Sequence, residues 1–114
     1  MSDCLFCRIV RGEVPSDRVH EDDEVIAFRD IAPRAPTHVL VIPRRHIASA
    51  AELTVADGPL LGRMFEVLAG IARQEGIERR GYRVVTNVGP EAGQSVPHLH
   101  LHLLGGRPMS WPPG

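Results

Sequence analysis

The chain has 114 residues, 43% of them hydrophobic and 24% charged, with a formal net charge of −1. That length predicts one domain, residues 1–114, able to bury roughly two-thirds of its unfolded surface in a core without disulfide staples. The near-neutral balance argues against a nucleic-acid or membrane-surface partner; no stretch is long enough to cross a bilayer and the N-terminus shows no leader, so a cytoplasmic protein with reduced cysteines is expected.

Leu5, Phe6, Ile9 and Val10 fit one face of a short N-terminal helix, and Gly12 ends it. The pair Cys4-x-x-Cys7 in this segment has three readings: a redox pair, two reduced cysteines without a role, or half of a zinc site. A redox pair calls for a preceding apolar strand, which is absent, and a zinc site calls for two further ligands elsewhere. Arg18–Glu21 and Glu24–Arg29 read as a hairpin around Asp22-Asp23, with His20 a solvated strand residue of no role. Asp30-Ile31-Ala32-Pro33 breaks the second strand, and Asp30 taken alone is a turn or cap residue. Thr37-His38 leads into Val39–Pro43, a β-branched and leucine run that predicts a central strand covered on both faces.

Ile47–Leu53 is a short helical or irregular link. Asp57 then caps a helix with Pro59 in its first turn, and Leu61, Met64, Phe65, Leu68, Ile71 and Ala72 follow helical spacing until Gly76. Leu60 and Val67 widen that apolar stripe. Tyr82–Val88 is the next strand, with Asn87 at its end facing a glycine-containing loop, 89–95.

The most informative stretch is Gln94–Leu104. From His98 it alternates imidazole and leucine, so a strand would line one face with His98, His100 and His102 and the other with Leu99, Leu101 and Leu103. Three imidazoles in a row are hard to explain as packing, because each buried ring needs hydrogen-bond partners. A His-rich surface strand and a metal-binding strip are the alternatives. The preceding loop weighs against both, since its glycines and Ser95 would let a backbone wrap an anion.

His98-x-His100-x-His102 followed by Leu103-Leu104 resembles the signature of the histidine triad (HIT) superfamily of nucleotidyl hydrolases and transferases. Gly93-Gln94-Ser95-Val96 ahead of it, Gly105-Gly106-Arg107 behind it and the closing Trp111-Pro112-Pro113-Gly114 resemble, more narrowly, the Hint branch of nucleoside phosphoramidases. The likeness runs back over nearly the whole chain. It implies an α+β, HIT-like fold: a five-stranded antiparallel sheet with one main helix and a short N-terminal helix, two subunits pairing through helix and sheet into a homodimer.

The resemblance also implies a purine nucleoside phosphoramidase cleaving the P–N bond of AMP-amine substrates. His100 would attack the α-phosphorus and form a covalent nucleotidyl-imidazole, its other ring nitrogen donating to a backbone carbonyl. His102, Ser95 and the Gly93–Ser95 amides would donate to the phosphoryl oxygens. The proton for the leaving amine is left between Ser95 and His38, with His98 either on that path or a zinc ligand. Asp30 would accept from both ribose hydroxyls, Asn87 would lie near ribose and phosphate, Gly93 and Gln94 would belong to the phosphate loop, and Leu5, Phe6, Ile9, Phe28 and Ile31 would line the base pocket. Cys4, Cys7, His46 and His98 would complete a structural zinc site, and no catalytic metal is required. Arg29, Pro97 and Ser110 depart from the Hint pattern, and Trp111 would reach the neighbouring subunit. Other readings are a dinucleoside polyphosphate hydrolase, a nucleotidyl transferase, or a zinc-containing nucleotide-binding regulator with little turnover.

Overall fold

The computed structural model describes residues 4–114. Met1–Asp3, on which the reading of the N-terminus partly rests, lie outside the described residues. Val39-Leu40-Val41-Ile42 is apolar at every position, so neither face of the strand it forms suits water. It is the middle of β3 (Thr37–Pro43), buried along its whole length. β2 (Val25–Arg29) pairs with β3 from Val25↔Pro43 to Arg29↔Val39, and β1 (Arg18–Glu21) completes the hairpin. On the other side β5 (Leu101–Gly105) pairs with β3, and β4 (Tyr82–Val85) forms the far edge. The order is β1-β2-β3-β5-β4, all antiparallel, which is the five-stranded sheet expected.

The two-residue period of the strands divides the core. Val25, Ala27, Val39, Val41, Leu101 and Leu103 share a cluster with Met64, Val67, Leu68, Ile71 and Ala72 of α2 (Gly58–Gln74). Ile26, Phe28, Leu40 and Ile42 belong to the other face and pack with Phe6 and Ile9 of α1 (Leu5–Val10). Each such side chain contributes roughly 1.5–3 kcal/mol by leaving water. The helix α2 ends where Gly76 takes φ +73°, with the amides of Gly76 and Ile77 returning to the carbonyls of Arg73 and Ala72 at 3.1 Å each. That is the termination glycine permits.

Five expectations need correction. The triad strand starts at Leu101, not His98: Val41↔Leu101 is the last pair, and Pro43 and Pro97 lack the N–H a longer ladder would use. The Leu99 amide bonds to the Ile47 carbonyl instead, at 2.6 Å. β4 consequently stops at Val85↔His102, and Thr86 turns its hydroxyl to the His100 carbonyl at 2.9 Å. Asp57 stands at the N-cap of α2, but its carboxylate serves the turn before it, accepting from the Thr54 amide at 2.9 Å and from Arg45. Phe65 keeps its helical spacing yet lies exposed, pointing away from the sheet. Nor is His20 merely solvated, since its Nε2 lies 2.7 Å from the Asp22 carboxylate that also binds Arg63 of α2.

Candidate active site and metal centre

Cross-strand pairing fixes the floor of the site. Phe28, Leu40 and His102 lie opposite one another across β2, β3 and β5, on the face that α1 covers. Between that floor and α1 is a cavity of about 340 Å³. Its apolar part is lined by Leu5, Phe6, Ile9, Phe28, Leu40 and Val96, and its polar part by Asp30, Ser95, His100 and His102. Phe6 ties the two together, standing edge-on to Phe28 at 5.4 Å and to His100 at 5.1 Å between centroids. An apolar slot of this size beside carboxylate, hydroxyl and imidazole groups suits a flat aromatic base joined to a polar, anionic group.

The imidazoles are held in distinct ways. His100 donates from Nδ1 to the His98 carbonyl at 2.6 Å, leaving the Nε2 lone pair uncommitted. That bond was expected of the sequence; the carbonyl's identity was not. His102 Nδ1 lies 2.9 Å from His38 Nε2, and burial, with His100 and His38 alongside, pushes its pKa down to about 4. His38 is buried behind His102 and does not line the cavity; burial lowers its pKa against the opposing pull of Asp30, 3.5 Å away.

His98 is turned away from the cavity. It donates from Nε2 to the Pro43 carbonyl at 2.8 Å and presents Nδ1 to Cys4 Sγ at 3.4 Å and Cys7 Sγ at 3.6 Å. His46 Nδ1 lies 3.2 Å from Cys7 Sγ, and all four donor atoms fall within 4.8 Å of one another. Zinc with bonds of about 2.3 Å to sulfur and about 2.05 Å to nitrogen would set tetrahedral S···N edges near ~3.6 Å, so the residues present fit that ion. The Pro43 carbonyl fixes the His98 tautomer that leaves Nδ1 free to ligate. Cys4 Sγ also accepts from the Cys7 amide at 3.4 Å, capping α1.

The remaining site candidates separate. Asp30 and Ser95 line the cavity, and Ile31 stands fully exposed at its rim. Asn87 is half-buried beyond β4 and does not line it. Gly93, at φ +82°, makes the loop's turn. Gln94 braces that loop: its oxygen accepts from the Gly89 amide at 3.0 Å, and its Nε2 donates to Ala48 at 2.8 Å and Val96 at 3.0 Å. Arg29 directs its guanidinium to Glu75 at the end of α2, with bonds of 3.1 and 2.9 Å. Trp111 is exposed and does not line the cavity of its own chain. Sequence reading missed Leu40 and Val96 as wall residues. Leu40 could have been found from the two-residue period once Phe28 was placed opposite it.

Comparison with known proteins agrees with this geometry. The model of the HIT domain matches residues 11–109. The chain is 50% identical over 105 residues to the purine nucleoside phosphoramidase of Escherichia coli strain K12, covering 92% of this chain and 88% of that one. It is 49% identical over 118 residues to a 14 kDa zinc-binding protein of Zea mays, covering 99% and 89%. The crystal structure of a HIT family hydrolase from Legionella pneumophila superposes with a TM-score of 0.97 at 50% identity, over 98% of this chain and all of the other. Triad, fold and relatives agree, and the chain belongs to the histidine triad (HIT) family, as one of its hydrolases.

Proposed function

We propose that the cavity holds a purine nucleoside 5′-phosphoryl group and that the protein hydrolyses the P–N bond of nucleoside phosphoramidates. The observation that carries the reading is His100: Nδ1 is committed to the His98 carbonyl, so the basic nitrogen is Nε2, on a ring that lines the cavity. The base lies between α1 and Phe28, and the Asp30 carboxylate accepts from the ribose hydroxyls. His100 Nε2 attacks the α-phosphorus and the P–N bond breaks. Ser95, also lining the cavity, passes the departing amine its proton. Water then attacks the nucleotidyl-imidazole and gives up a proton that restores the Ser95 hydroxyl; the P–N bond to His100 breaks, returning free His100 and a nucleoside monophosphate. His102 and the Ser95 amide stabilise charge on the phosphoryl oxygens in both steps, each such donor being worth about a hundredfold in rate; the Gly93 and Gln94 amides are spent inside the loop, on the Pro90 and Gly89 carbonyls at 3.1 Å each.

Cys4, Cys7, His46 and His98 hold a structural zinc in this reading, and it takes no part in either step. The protein acts as a cytoplasmic homodimer, pairing through α2, where Phe65 is exposed, and through the free edge of β4. No helix among the described residues is long and apolar enough to cross a membrane.

The test is turnover of adenosine 5′-phosphoramidate by wild type and His100→Ala, with mass spectrometry of the trapped protein. Activity that disappears in the variant, with an AMP adduct on the triad peptide of wild type, is the expected result. Undiminished activity in His100→Ala would overturn the mechanism. Faster turnover of diadenosine polyphosphates than of the phosphoramidate would overturn the substrate assignment.

A further inference from the structure

The chain has no lysine and 13 arginines. Eight of them lie within salt-bridge distance of a carboxylate. Among the described residues the other five, Arg34, Arg79, Arg80, Arg83 and Arg107, have no carboxylate that close. Three of the five, Arg80, Arg83 and Arg107, line one pocket of about 250 Å³, where β4 begins and the chain leaves β5. None of the residues lining it is acidic. Glu78, two residues before Arg80, is directed instead to Arg73 at 3.6 Å. The net charge of the whole chain is −1, so this excess of positive charge is local.

Main-chain oxygens aim two of these guanidinium groups, which orients them without neutralising them. Arg83 donates from Nη2 to the Ser110 carbonyl at 2.9 Å. Arg107 donates from Nε to the Arg34 carbonyl at 2.9 Å and from Nη1 to the Pro108 carbonyl at 3.1 Å. A guanidinium carries five N–H donors. One bond leaves Arg83 four of them, and two bonds leave Arg107 three. Arg80 makes no hydrogen bond to another described residue. The pocket therefore holds three full positive charges and many unspent donors.

We propose that Arg80, Arg83 and Arg107 form a binding site for a phosphoryl anion of about the size of pyrophosphate, separate from the nucleotide cavity. Three like charges around one pocket repel one another, and an anion of two or more charges turns that repulsion into attraction. Guanidinium forks match phosphoryl oxygens bidentately, and the Tyr82 hydroxyl adds a neutral donor to the lining. A carboxylate, with one charge, would leave most of the pocket's charge uncompensated. The volume sets the size, since pockets for drug-sized ligands begin at about 300 Å³. The anion thus enters alone, or as the end of a larger molecule that stays outside. The pocket shares no lining residue with the nucleotide cavity, so the site stands whether or not the phosphoramidase reading does.

The test is a titration of the full chain with pyrophosphate, followed by amide ¹H–¹⁵N spectra in about 0.15 M chloride, where loose surface attraction is screened. The expected result is saturation, with shifts confined to residues 79–83 and 106–110. Arg80→Gln should weaken binding about tenfold, as loss of a hydrogen bond to a charged group does, and it disturbs no bond of the fold. Arg83→Gln and Arg107→Gln should do the same. Arg44→Gln makes the same charge change beside Glu21 and should leave the affinity as it was. ATP is the second probe. Shifts in the same segments at higher affinity than pyrophosphate would identify the anion as the end of a larger molecule, and lower affinity would identify it as the free ion. No saturation by either probe at about 10 mM would overturn the proposal, as would shifts centred on 93–102 or equal weakening by Arg44→Gln. Arginine variants that sediment as monomers, in a protein that binds neither probe, would assign these residues to the subunit contact along β4 and overturn it as well.

Discussion

Gly105 ends the strand that carries His102, and it has no conformational need to be glycine, since its φ is not in the left-handed region. Its requirement is space. A Cβ there would lie 2.5 Å from Ile77 Cδ1, 3.3 Å from Ile77 Cβ and 3.4 Å from Cγ1. The terminal methyl can rotate away, but Ile77 Cβ is fixed to a buried backbone just after α2. Gly105→Ala should therefore cost about 1–3 kcal/mol, the usual penalty of overpacking. Ile77→Val removes the offending Cδ1 at a cost of roughly 0.5–1.5 kcal/mol. Denaturant unfolding of both single variants and the double should show a combined loss smaller than the sum. Strict additivity would show that the Ile77 contact is not what demands glycine. The neighbouring Gly106 differs: it combines φ +92° with a Cβ position 2.8 Å from Pro36, so both backbone and space require it.

Among the elements, α1 is the least able to stand alone. Six residues are too few to hold a helix by propensity. Phe6 and Ile9 anchor it to the sheet, and Cys4 and Cys7 bring it to His46 and His98. The same helix supplies Leu5, Phe6 and Ile9 to the cavity wall, so the proposed zinc and nucleotide sites share one element. Stripping the metal with a chelator, or removing a ligand as Cys7→Ser, should lower Tm, speed amide exchange in 5–10 and weaken AMP binding, although no ligand touches the nucleotide directly. Metal analysis should find one zinc per chain, lost in Cys7→Ser. Unchanged AMP affinity after complete metal removal would show that Phe6 and Ile9 hold the wall unaided.

Where one physical cause dominated, these elements were legible in the sequence. The apolar run Val39–Ile42 could only be a doubly covered strand, and Leu68, Ile71 and Ala72 could only face a core. Legibility failed where the deciding partner was remote. Nothing near His98 says that the ladder stops at Leu101, because the Ile47 carbonyl that takes the Leu99 amide is some fifty residues away. Nor does the sequence reveal that the Gln94 side chain braces its loop, because its acceptor, Ala48, is nearly as distant. The triad was visible as a pattern of residue type and the Cys2His2 set only through the family resemblance, while the tautomers depend on main-chain groups that composition does not reveal.

At the scale of the molecule, the buried histidines set the response to acid. Burial lowers the pKa of His38, His98 and His102, the last to about 4. In the unfolded chain these rings titrate near ~6.5. Between those values the unfolded state binds more protons than the folded one, so stability rises with pH across that window and is lost on acidification through it. A zinc ion on His98 acts in the same direction, since its ligand must be neutral and protons compete for it. The carboxylates respond later. Burial would raise the Asp22 carboxyl, but His20, the Glu24 and Val25 amides and Arg63 hold it below the usual range, and Arg29 does the same for Glu75. Their contribution is present above the ordinary carboxylate value and falls away only below it. Urea unfolding should therefore give a nearly level stability above about pH 7, a decline beginning near ~6.5, and a second, steeper loss below ~4. His102→Gln should flatten part of the first decline while leaving the second in place. A stability unchanged from pH 7 to pH 5, or greater at pH 5, would mean that these rings are charged in the folded protein, and would remove the neutral His102 on which its role as a donor depends.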